Sequence, residues 1–91
     1  ESGTVVVAIS GTFDFKCVHD FRAAYQDLPD ASTYVVDLAD VTHMDSSALG
    51  MLLNMRRSVG EDKQVVLRRA QPTVRKILEI SRFDKMFTLE G

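Results

Sequence analysis

Between Thr4 and Ile9 the chain reads TVVVAI, a β-branched run closed by Ser10 and Gly11, which predicts a strand ending in a turn. The period then changes. From Lys16 to Leu28 the apolar residues Val18, Phe21, Ala24, Tyr25 and Leu28 recur at steps of three and four with charges between them, an amphipathic helix stopped by Pro29. Thr33 to Leu38, TYVVDL, is an apolar run too short for a helix and predicts a buried strand. A second helix follows from about Ser46 to Ser58 and ends at Gly60. Gln64 to Arg69 supplies a third strand. Pro72 to Ser81 forms a third helix, with proline in its first turn and Val74, Ile77, Leu78 and Ser81 on one stripe, and Met86 to Leu89 is a short closing strand. Gly60 to Lys63 reads as a mobile loop. Strands alternating with helices pair in parallel through right-handed crossovers, so the expectation is one α/β domain over residues 1–91, a central sheet with helices packed on it.

Composition narrows the setting. With 45% hydrophobic and 26% charged residues in 91, the chain is an ordinary soluble globular domain that needs most of its apolar side chains for its core. Cys17 is the one cysteine, which excludes an internal disulfide and a Cys-based zinc site and suits a reducing cytoplasm. No apolar run of about 18 residues is present to span a membrane. The start at Glu1, without methionine or a signal-peptide pattern, reads as a trimmed or processed product. Net charge is -2, divided unevenly: residues 1–45 hold eight acids and two bases, residues 46–91 five acids and nine bases. The basic half lacks the interleaved aromatics of a nucleic-acid platform, so folding is expected to bring the halves together and even out the field.

The chemistry gathers at Asp45, Ser46 and Ser47, where an extended segment turns into a helix. Asp45 suits an N-cap, its carboxylate accepting the backbone N–H of Ser47 or Ala48, and Ser46 then stands at the helix start. A phosphate there would meet helix N–H donors and the positive dipole end, while adding roughly -1.5 to -2 charges beside Asp45 that any docked partner would have to desolvate. On a helical wheel Ala48, Leu49, Leu52, Leu53, Met51 and Met55 cover an arc wider than one sheet needs, so Met51 and Leu53 are expected at its exposed flank as an adaptable contact surface. His43, Asp45 and Ser46 hold the residue types of a hydrolase triad, but residues this close in sequence cannot readily chain nucleophile, base and orienting acid, and no G-x-S-x-G elbow is present. Two histidines do not make a metal cluster, and Gly11 and Gly50 do not make a phosphate loop, so no catalytic residue, metal or cofactor is assigned.

The phrase MDSSALG, residues 44–50, resembles the DSSGLG signature of the STAS family, the anti-sigma factor antagonists and their relatives. Gly11, Thr12, Phe13 and Asp14 resemble its G-x-[LF]-D turn, Val35 to Asp37 its central strand, and Pro72 to Phe87 its P-x-V-x-x-[IL]-[LF] helix and closing element. The resemblance implies a mostly parallel sheet of four to five strands, with the family's first strand, before Thr4, and its terminal helix absent or truncated here. It also implies phosphorylation on the serine directly after the aspartate, which is Ser46, and places Asp14 near it. With Met51 from the helical wheel, the expected partner-binding surface is Asp14, Asp45, Ser46, Ser47, Ala48 and Met51. Asp14 reads equally well as a turn residue capping the following helix. The implied cycle has three partners in the cytoplasm: an anti-sigma factor or similar regulatory protein, a serine kinase of the histidine-kinase-like ATPase type, and a PP2C-type phosphatase, with no nucleic acid and no membrane involved. The alternative within the family is a STAS accessory subunit or domain of a transporter, not switched by phosphate. Two departures stand out. Ala48 replaces the usual glycine, placing a methyl group where a partner is expected to approach, and Arg82 replaces a helix-ending glycine.

Overall fold

The computed structural model describes residues 3–26 and 31–90. Its elements follow the expected order: β1 (Thr4–Phe13), a 3-10 turn (Phe15–Cys17), α1 (Val18–Gln26), β2 (Thr33–Met44), α2 (Ser46–Val59), β3 (Gln64–Arg68), α3 (Pro72–Ile80), a second 3-10 turn (Phe83–Lys85) and β4 (Thr88–Glu90). The end of the first expected helix, Leu28 and Pro29, lies outside the described residues. The four strands form one sheet in the order β1-β2-β3-β4, with every neighbouring pair parallel. This is an α/β fold, with the four-stranded parallel sheet expected from the sequence.

Alternation along each strand decides which side chains meet the helices. Val7, Val36 and Leu67 pair across one row, with Tyr34 and Val65 in the row before, and all five belong to the core. Against them pack Phe21 and Tyr25 of α1, Leu52 and Met55 of α2, and Val74 and Leu78 of α3. Phe13, Phe21 and Tyr25 pack in sequence at centroid separations of 5.3 and 5.4 Å, the first pair tilted and the second edge-to-face, filling the corner where β1 meets α1. The opposite sheet face carries Val6, Val35 and Val66 in one row and Ala8, Asp37, Arg68 and Glu90 in the next. There Asp37 accepts hydrogen bonds from Arg68 (3.0 Å) and Arg69, so an acid of the first half neutralises bases of the second.

Three local differences from the expected pattern have physical causes. Ser10 and Gly11 do not end β1. They take up two register shifts against β2, and Gly11, at φ +77°, carries the strand on to Phe13. Thr42 Oγ donates to the Gly11 carbonyl at 3.3 Å, which prolongs the pairing and extends β2 to Met44. The closing strand begins two residues late because Phe83 to Lys85 coils first, burying Phe83 and Phe87 against each other at 5.2 Å. Arg82, where the family pattern has glycine, adopts φ 60° and ψ 33°, the left-handed conformation that a helix-ending glycine would take.

Candidate functional site

Phe13 and Met44 are the last paired residues of β1 and β2, so Asp14 and Asp45 leave the sheet at neighbouring points of one edge. Each is a cap. Asp14 accepts the Lys16 backbone N–H at 3.0 Å and starts the first 3-10 turn. Asp45 starts α2: its carboxylate accepts the backbone N–H of Ser47 at 3.0 Å and of Ala48 at 3.2 Å, together with the Ser47 hydroxyl. Those bonds, the Ser47 hydroxyl foremost, hold the Asp45 carboxyl below the usual carboxylate range and keep it anionic at neutral pH.

Ser46 is the first residue of α2, exposed, and its hydroxyl bonds to no described residue. It is therefore accessible to a modifying enzyme. The expectation that a phosphate here would meet free helix donors needs correction, because Asp45 already occupies the amides of Ser47 and Ala48. A phosphoryl group on Ser46 would stand beside a carboxylate, with little of its charge absorbed by the fold.

The corner brings together Asp14, Asp45, Ser46 and the half-buried Ser47. The remaining two expected contact residues belong elsewhere. Ala48 is 0% exposed, so its methyl group faces the core and not an approaching partner. Met51 is only 7% exposed, because α1 packs beside α2 and covers the flank that the wheel of α2 alone left open. Leu53 is half-buried. His43 is exposed and hydrogen-bonds through Nδ1 to the Thr42 hydroxyl at 3.2 Å, not to Asp45 or Ser46. Among the described residues no cluster of three His, Cys, Asp or Glu side chains is placed to hold a metal ion.

Sequence reasoning missed Phe15, which is 65% exposed on the turn directly after Asp14. A single aromatic between two charged residues has no periodicity to mark it. It also missed the Asp37 cluster, whose members lie about thirty residues apart and meet only through the β2–β3 register.

The sheet order, the capped serine corner and the helix-ending conformation of Arg82 define a domain of one class, and the comparisons with known proteins agree. A family model described as "Mlab, STAS domain" matches residues 1–90, and the chain belongs to the STAS family. A STAS-domain containing protein of Pseudomonas aeruginosa (strain UCBPP-PA14) is 46% identical over 87 residues, covering 93% of this chain and 86% of its own length. Among solved structures, the anti-sigma factor antagonist SpoIIAA in its unphosphorylated form matches at 26% identity and a TM-score of 0.79, over 100% of this chain and 83% of that one. Its phosphorylated form, from Bacillus, matches at 24% and 0.72, over 100% and 86%. The STAS domain of a SulP transporter from Vibrio cholerae matches at 19% identity and 0.82, over 100% and 75%, a likeness of fold. No helix among the described residues is long and apolar enough to cross a membrane.

Proposed function

We propose that this domain is a phosphorylation-switched regulator of the anti-sigma factor antagonist type, acting in the cytoplasm. With Ser46 unmodified it binds an anti-sigma factor or similar regulatory protein. A serine kinase of the histidine-kinase-like ATPase type phosphorylates Ser46 and disperses that complex, and a PP2C-type phosphatase restores it. Asp14, Asp45 and Ser47 shape the surface around the serine. The observation that carries this reading is the exposed, unengaged Ser46 hydroxyl next to a carboxylate that already holds the helix amides. A dianion added there leaves the core intact and must be desolvated by whatever docks on the corner. SpoIIAA, a relative described in both an unphosphorylated and a phosphorylated form, supports the same assignment.

The test is affinity capture with Ser46→Ala and Ser46→Asp chains, followed by calorimetry with the protein retained by the first. Ser46→Ala is expected to bind it constitutively and Ser46→Asp to bind at least tenfold more weakly with an unchanged melting temperature. Equal affinity for the two variants would refute the switch. A second reading, an accessory domain of a transporter not switched by phosphate, is favoured by the Mlab description of the family model and by the SulP relative. Copurification with transporter ATPase subunits, and an unmodified Ser46 under all growth conditions, would decide for it.

A further inference from the structure

Gly50 sits in the interior of α2, where glycine is the poorest helix former after proline. Nothing inside the domain asks for it. Its backbone is not in the left-handed region, it is exposed, and a methyl group built on it meets no atom within 4 Å. A glycine that the fold does not need on an exposed helix face suits close approach by another backbone.

Two further features flank it along the helix. At the N-terminal end of α2 stands the exposed Phe15 ring, on a turn that packs against this helix and beside the acids Asp14 and Asp45. Toward the C-terminal end lies a groove of about 370 Å³ between α1 and α2, floored by Phe21, Tyr25 and Met51 and rimmed by Arg22 and Arg57. One is an aromatic knob with an acidic border. The other is an apolar hole with a basic border. Gly50 lies four residues after Ser46, at the knob end, and four before Asn54, which lines the groove. Both lie roughly 6 Å from it along the helix axis.

We propose that this face binds a second copy of the chain about a two-fold axis passing at Gly50. Antiparallel apposition of two α2 helices sets Gly50 opposite Gly50 and seats each Phe15 in the other copy's groove. It brings Asp14 and Asp45 of one copy to Arg22 and Arg57 of the other. The contact is isologous, so each complementary pair occurs twice, and the opposed helix dipoles attract. The Phe15 ring gains the guanidinium groups at the rim as well as the apolar floor. The inference rests on the geometry of this face and not on the assignment of Ser46 as a phosphorylation site, although a phosphoryl group on Ser46, one helical turn from Gly50, would lie within the contact and oppose it.

Sedimentation velocity over a concentration series tests it. The mass is expected to rise from 10.2 kDa toward twice that value. Phe15→Ala and Arg57→Glu should each weaken the dimer at least tenfold without lowering the melting temperature. Gly50→Ala should raise the melting temperature by about 5 °C while weakening the dimer, a combination that a merely structural glycine does not produce. Asp14→Lys alone should also stay monomeric, whereas an equimolar mixture of Asp14→Lys and Arg57→Glu chains should recover the dimer, since both contacts again pair opposite charges. A chain that remains at 10.2 kDa up to millimolar concentration overturns the proposal and leaves the face to a different protein. So does a dimer that is indifferent to these substitutions.

Discussion

Replacing Asp37 with asparagine should make the stability of the domain much less dependent on acid. Asp37 is 8% exposed and the one buried charged side chain among the described residues. Its carboxylate accepts hydrogen bonds from Arg69, from the Ala39 amide at 3.0 Å and from Arg68 at 3.0 Å. The Arg69 bond is the largest influence, and together these partners outweigh burial, drawing the carboxyl down from 3.8 to about 2. A folded value below the unfolded one means that the carboxylate stabilises the native state fully above about pH 5. That contribution is lost as pH falls through the folded value near 2. The difference between the two values corresponds to about 2 kcal/mol, a large share of the total stability of a domain this small. Asparagine keeps the shape but loses the charge, and it leaves Arg69, held at φ 58°, without its anchor. Arg68, whose Nε is already buried without a partner, then has less to offset its desolvation. Urea unfolding followed by circular dichroism at pH 7, 5, 3 and 2 measures the effect. Wild type should exceed Asp37→Asn by about 2 kcal/mol at pH 7, with the gap closing toward pH 2. A gap that stays constant across this range would show that the ion cluster is not its source.

Three more outcomes follow from the same geometry. Arg82→Gly relieves a left-handed backbone that a side chain disfavours, and should stabilise the domain by about 1 kcal/mol, read as a higher melting temperature. Ala48→Gly, which restores the family's usual residue, should destabilise by about 1 kcal/mol through helix propensity and lost core contact, while calorimetry finds partner affinity unchanged. Met51→Ala should cost roughly 2 to 4 kcal/mol in chemical denaturation, because the side chain lies in the core.

The hydrophobic pattern revealed the order of elements because each carries its own period: β-branched runs at Thr4, Thr33 and Gln64, and three- and four-residue steps in the helices between. The capped corner was also legible, since an N-cap is a local relation between Asp45 and the two residues that follow Ser46. Two kinds of information were not local. The burial of Met51 depends on α1 lying alongside α2, and a helical wheel shows the width of an apolar arc without showing how many neighbours share it. The lengths of β1 and β2 depend on each other, for Ser10 to Phe13 stay extended only because Asp40 to Met44 pair with them. Gly11 illustrates the ambiguity: glycine after a strand signals a turn or a bulge equally well, and only the partner strand decides.

Phosphopeptide mass spectrometry of the protein isolated from its native cells tests the central claim most directly. The account predicts a gain of about 80 Da on Ser46, present under some growth conditions and removed by a PP2C-type phosphatase. A modification confined to Ser47, or none on this corner under any condition, would contradict it.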